Sequence, residues 1–273
     1  MGAAVTRALG IAALCVLAGC GPPGPPPGTV DEVPETAHGL LASIRERTHP
    51  FTTARCGFQL VSRDLVTGEE DRVGLSLSYA APDRLRARGT AAAFFTAFDL
   101  VVGSDRVWLD LPRDDVTFAG PRGDPAWADL PLNPTQLLIA FLADPAPLRS
   151  EAQDELLSVS GEHYRIEGGD WTLDVDRATQ LPIRLHHSWP EPHELVWSEW
   201  AIRKGAARPH RTELTFPERD LVFELRLARF DAGLGLSDDL FQFAPEESRD
   251  LLQPVDAVDW WAQITARGQS DGL

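Results

Sequence analysis

From Arg55 onward, apolar and polar residues alternate with a period of two, and this alternation constrains the fold more than any other feature of the chain. In RVGLSLSY, Val73, Leu75, Leu77 and Tyr79 point one way, while Arg72, Gly74, Ser76 and Ser78 point the other. DRLRARG puts Arg84, Arg86 and Arg88 on one side and Leu85 and Ala87 on the other. FDLVVGSDRVWLDLP reads as a hairpin turning at Gly103-Ser104-Asp105, with Val107, Leu109 and Leu111 inward. Trp171, Leu173 and Val175 continue the pattern, as do Ile183, Leu185 and Trp189, followed by LVWSEW, RTELTF and LVFELRLARF. Each strand has one wet and one dry face, which is the signature of an antiparallel sheet. The expectation is a mainly β (α+β) domain of about ten strands in one meandering sheet, curved or rolled, whose dry face must be covered.

Helical periods supply the cover. ETAHGLLASIRERTH (35–49) places Leu40, Leu41 and Ile44 on one face with Arg45 and Glu46 opposite. NPTQLLIAFLAD (133–144) has Asn133 as N-cap and Pro134 at the first helical position, and Leu137, Leu138, Ile139, Phe141 and Leu142 make it apolar on nearly all sides. Such a helix is buried in protein or faces something apolar. SDDLFQF (237–243) and PVDAVDWWAQITAR (254–267) are the remaining helical segments, and Trp260 and Trp261 are expected to pack on the sheet.

The first twenty residues stand apart. Arg7 precedes an apolar run, Ala8 to Gly19, that is too short for the about 20 residues of a membrane span and has the length of a secretory leader. Leu17-Ala18-Gly19-Cys20 resembles the bacterial lipobox, which implies cleavage before Cys20 and a diacylglycerol on its thiol. The expected organisation is a signal peptide (1–19), a lipid-anchored Pro/Gly linker (20–34), one domain (35–253) and a helical tail (254–273). GPPGPPPGTVDEVP (21–34) reads as an extended spacer able to reach roughly 40 Å at polyproline rise. Gly21 is not the Asp that, in the lipoprotein sorting rule, retains such proteins at the inner membrane, so the resemblance implies the periplasmic face of the outer membrane in a source that has one. Cys15 leaves with the leader and Cys20 carries lipid, so Cys56 has no disulfide partner and reads as a buried, inert thiol.

A formal net charge of −16 argues against nucleic-acid binding, which needs Lys and Arg to neutralise phosphate. The chain carries no phosphate-cradling glycine loop, GxSxG elbow or HExxH pair, and no pair of carboxylates is singled out for catalysis, so it is not read as an enzyme and no cofactor is expected. HHSWPEPHE (186–194) is the His-rich stretch, but alternation puts His186 and His187 on opposite faces and argues against a metal site. His187 shares its face with Ile183, Leu185 and Trp189. Glu199, in phase with Leu195, Trp197 and Ala201, is a second polar residue on the dry face.

APDRLRARG (81–89), FDLVVGSDRVWLDLP (98–112) with FAG at 118–120, LDVDRATQLPIRL (173–185) and FELRLARFDAGLGLSDDLFQFAPEE (223–247) together resemble the lipoprotein localisation factor superfamily, the LolA/LolB-like fold. The resemblance implies an N-terminal helix followed by a half-open antiparallel barrel, whose apolar concave face is covered by short helices and accepts acyl chains. It implies a protein that binds acyl chains or another hydrophobic ligand, and the lipobox, a departure from the family's soluble carrier, makes the chain more similar to the anchored acceptor member or to other lipoproteins of the same fold; Leu75, Leu77, Leu109, Leu138, Phe141, Leu185, His187 and Trp197 are the candidate cavity residues. AAAFFTAF (91–98) is either a projecting apolar loop of the kind the anchored member of the family carries or an inward hairpin of the sheet. The alternative function is a structural or assembly lipoprotein with a solid core that binds another envelope protein.

Overall fold

The computed structural model describes residues 24–91, 95–130, 133–148, 155–188, 191–244 and 249–257. The expected cleavage site, Cys20, Trp189, Trp260 and Trp261 lie outside them. The described chain is mainly β. Fourteen strands form one sheet: β1 Thr53–Asp64, β2 Glu70–Ala80, β3 Arg84–Ala91, β4 Phe95–Val102, β5 Arg106–Leu111, β6 Val116–Pro121, β7 Leu156–Ser160, β8 His163–Gly168, β9 Trp171–Asp176, β10 Pro182–His187, β11 His193–Arg203, β12 Ala206–Phe216, β13 Leu221–Ala232 and β14 Asp250–Leu252.

Their order is β14-β6-β5-β4-β3-β2-β1-β13-β12-β11-β10-β9-β8-β7, so two meanders, β1 to β6 and β7 to β13, are joined where β1 pairs with β13. The sheet does not close on itself among the described residues. Two features correct the sequence reading. Among the described residues there are fourteen strands instead of about ten; β7, with five mostly exposed residues, shows little alternation of burial, and β14 is only three residues long. The sheet is mixed, because the short β14 runs parallel to β6 after the chain has crossed from β13.

The alternation holds in the register of β2 and β3. Leu75, Leu77 and Tyr79 are buried and in register with Gly89, Ala87 and Leu85 of β3, while Ser76 is exposed opposite Arg88. Directly opposed residues share a face, so one register fixes the dry face through all the neighbouring strands.

Helix α1, Ala37–Thr48, starts where Thr36 Oγ1 accepts the Gly39 N–H at 3.0 Å, and it buries Leu40, Leu41 and Ile44. Arg45 and Arg47 in its last turn suit the negative end of the helix dipole. Helix α2, Pro134–Leu142, opens with a capping box in which Asn133 and Gln136 satisfy each other's backbone N–H groups. It ends at Ala143 in the left-handed region, and every residue from Gln136 to Leu142 is buried. Its all-round apolar character thus has a structural cause. Phe141 packs on Tyr79 and Phe51, and the Ala140 carbonyl accepts the Trp197 indole N–H of β11 at 3.3 Å.

Candidate functional site

Successive strands run in opposite directions, so their turns collect at two ends of the sheet. At one end a cavity of about 1180 Å³ opens among β1 to β5 and β13. Leu60, Val73, Phe98, Leu100, Leu109, Leu111 and Phe223 from the strands, with Leu130 and Leu137 from beyond β6, supply its apolar lining. A register shift between Gly89 and Thr90 leaves Ala97 unpaired and sets Phe98 directly across from Gly89. A Cβ at residue 89 would run into the Phe98 ring, so the glycine is what lets the ring lie there.

On the opposite face of the same strands lies an ionic set that is internally paired. Arg86 binds Asp99 through Nε at 3.0 Å and Nη2 at 2.7 Å, and Arg88 adds a second guanidinium at 2.6 Å. The Asp99 carboxylate raises the Arg86 pKa above its ordinary value. Next to this pair, Arg249 forms an ion pair with Asp110, which also accepts the Thr117 hydroxyl at 2.8 Å. These carboxylates are nearly fully buried, so their guanidinium partners are what keep them there. The apolar lining and the paired charges thus occupy opposite faces of β3 to β5.

A second cavity of about 720 Å³ lies at the opposite end, between α2, the last turn of α1 and the β2–β3 turn. Leu138 and Leu142 line it beside a polar set: Asp144, fully buried, takes Arg45 Nε at 3.0 Å and faces His49 Nε2 at 3.4 Å. Burial pushes His49 down to about 4 against the opposing pull of Asp144, and raises the Tyr79 phenol to about 12. The Tyr79 hydroxyl donates to the Pro82 carbonyl at 2.9 Å.

Of the residues singled out from the sequence, Leu109 lines the larger cavity and Leu138 the smaller. Leu75, Leu77, Phe141, Leu185 and Trp197 are packed in the core and border neither cavity. His187 is buried on the face of Leu185, with His186 exposed on the other side. A register shift between Pro182 and Arg184 puts Ile183 out of that row. His187 Nε2 meets Asp170 at 3.3 Å, and its ring packs edge-on against His193, 4.9 Å away. Burial lowers both imidazole pKa values, that of His193 to about 4. Glu199 is not on the dry face: its backbone turns to φ 56° and the side chain is exposed. Of the 91–98 segment, Ala91 and residues 95–98 belong to the β3–β4 hairpin, and Phe95 is 72% exposed beside the larger cavity.

Two determinants escaped the sequence reading. Arg208 is 1% exposed, donates from Nη1 to the Thr48 carbonyl at 3.1 Å and from Nη2 to the Phe141 carbonyl, and lies over the rings of Phe51, Phe141 and Phe230. It thereby ties together the C-terminal ends of both helices. Its position two steps from His210 and four from Thr212, in the dry phase of Leu214 and Phe216, was the available signal. Cys56 lies near it, 2% exposed, with burial pushing the thiol up to about 12. The segment before α1 is the second determinant: residues 25–32 are fastened to the domain instead of spanning free.

Three solved structures share this architecture. A LolA superfamily protein from Nitrosomonas europaea matches with a TM-score of 0.57 at 11% identity, covering 77% of this chain and 99% of its own. The fold is that of the LolA superfamily. A DUF1329 family protein from Desulfovibrio piger matches with a TM-score of 0.56 at 13% identity, over 74% of this chain and 94% of its own. An outer membrane lipoprotein-sorting protein domain from Vibrio parahaemolyticus, described as putative, matches with a TM-score of 0.54 at 13% identity and the same two coverages, 74% and 94%. No protein-family model matches the sequence. No curated protein matches it either. At these identities the LolA-like resemblance establishes the fold and leaves the ligand to be argued from the cavity.

Proposed function

We propose that this protein is a lipid-anchored envelope protein that binds acyl chains, or a ligand of similar apolar character, inside a half-open curved sheet covered by α1 and α2. The observation that carries this reading is the larger cavity. Its volume of about 1180 Å³ exceeds the roughly 300–1,000 Å³ of ordinary small-molecule sites, and Leu, Val and Phe side chains supply its apolar wall. Transfer of an acyl chain from water to such a wall is favourable by about 25 cal/mol per Å² buried. The LolA-like neighbours support a non-catalytic binding role, and the lipobox-like Leu17-Ala18-Gly19-Cys20 supports attachment at the periplasmic face of the outer membrane.

A second reading is a scaffold that binds another envelope protein. What favours it is the packed state of Leu75, Leu77, Phe141, Leu185 and Trp197, together with the open edge at β7, where Leu156 and Val159 are 65% and 60% exposed. Extraction of the protein from its native envelope in mild detergent, followed by mass spectrometry of co-purified lipids, separates the two. A stoichiometric acyl lipid beyond the anchor is expected, and its absence favours the scaffold.

A further inference from the structure

The segment before α1 is pinned at four points. The Ile202 N–H donates to the Pro25 carbonyl at 2.9 Å and the Val30 N–H to the Ala178 carbonyl at 2.8 Å. Arg47 Nη2 reaches the Gly28 carbonyl at 2.9 Å, and Gln180 Nε2 reaches the Glu32 carbonyl at 2.5 Å. All four partners belong to one end of the sheet. Ile202 precedes the β11–β12 turn, Ala178 and Gln180 form the β9–β10 turn, and Arg47 is in the last turn of α1. The larger cavity is at the other end. Its wall includes Ser62 at the end of β1, Asp71 at the start of β2, Phe95 at the start of β4, and Pro112 and Arg113 in the β5–β6 turn. Strand β12, running from the first end to the second, rises about 33 Å over its length.

We propose that lipid at Cys20 holds the β11–β12 end of the domain against the bilayer and so points the mouth of the larger cavity away from the membrane that anchors the protein. This rests on the reading of Cys20 as the anchor. Only residues 21–23 separate Cys20 from the docked Gly24, a leash of about 14 Å at full extension. The headgroup layer takes up about 6 Å of it. A spacer free along its whole length would let the domain tumble, whereas one fastened from residue 25 onward fixes which end lies nearest the lipid. Any ligand then enters the larger cavity from the aqueous side, handed over by another molecule, and not by lateral withdrawal from the anchoring bilayer.

The test uses full-length lipidated protein reconstituted into phosphatidylethanolamine–phosphatidylglycerol vesicles, with a fluorophore on Lys204→Cys or on Arg113→Cys. Cys56 is too buried to compete for the label. A headgroup-attached quencher is expected to reduce the emission at position 204 and to leave position 113 at its value in quencher-free vesicles. Insertion of a long Gly/Ser stretch between Pro23 and Gly24 is expected to remove most of the loss at 204, because the docked segment then no longer sets the distance. Equal loss at both positions, or greater loss at 113, in protein that carries lipid mass at residue 20 overturns the orientation and leaves the anchor standing. Protein without that mass overturns the anchor and the orientation together.

Discussion

Replacing Arg208 tests whether the two helices are held by the sheet through one buried cation. The guanidinium donates to the Thr48 and Phe141 carbonyls, each at the C-terminal end of a helix, where the dipole favours positive charge. Hydrogen bonds from a charged donor are worth about 1.5–3 kcal/mol each, so the two together contribute about 3–6 kcal/mol. Against this stands the cost of burial, which lowers the Arg208 pKa to about 10 and corresponds to roughly 3 kcal/mol. The Met variant recovers that cost but loses both bonds, so Arg208→Met should destabilise the fold by up to about 3 kcal/mol. Arg208→Ala also empties the space between Phe51, Phe141 and Phe230 and should cost about 3–5 kcal/mol. Urea unfolding measures both values. Amide exchange should also accelerate selectively in the last turns of α1 and α2. A Met variant as stable as wild type, with unchanged exchange in those turns, refutes the reasoning.

Other predictions address the sheet, the buried histidines and the cavity wall. Leu75→Asp places a carboxylate on the dry face and should cost at least about 3 kcal/mol in thermal or urea unfolding, whereas Ser76→Asp, exposed opposite Arg88, should be nearly neutral. His193 is held near 4 in the folded state against about 6.5 unfolded, so the unfolded chain binds more protons between those values. Stability should therefore fall as pH drops from about 6.5 to about 4, by on the order of 3 kcal/mol from this group, and His193→Phe should flatten the curve in urea titrations across that window. Gly89→Ala pushes the Phe98 ring into the larger cavity, so it should weaken binding of a fluorescent fatty acid more than it lowers the melting temperature.

The period-two pattern made the strands β2 to β5 and β9 to β13 legible, because it gives each a wet and a dry face and register propagates that division. The Asn133-Pro134 start of α2 was equally readable, since capping is local chemistry. What stayed hidden depends on contacts distant in sequence. The pairing of β1 with β13 joins residues more than a hundred positions apart, and β14 finds β6 only after the chain crosses between strands. Glu199 kept the phase of its neighbours in sequence, but its left-handed backbone turns it outward. Arg208 shows the opposite case: its phase pointed inward, but an arginine on a dry face acquires meaning only when helix ends are there to receive it. The larger cavity was anticipated as a property of the dry face, yet its wall is set by where strands end. That is why Leu109 borders it, and Leu75 and Leu77, two and four residues along from the lining residue Val73, do not.

The central claim is that the larger cavity takes up an acyl chain. Titration of an anthroyloxy fatty acid into the domain lacking the Cys20 lipid, followed by fluorescence, tests it most directly. The account predicts saturable binding at micromolar concentration, weakened about ten-fold or more by Leu109→Glu, which sets a carboxylate in the apolar wall, and left unchanged by Ser76→Asp. Absence of saturable binding, or equal affinity of wild type and Leu109→Glu, contradicts it.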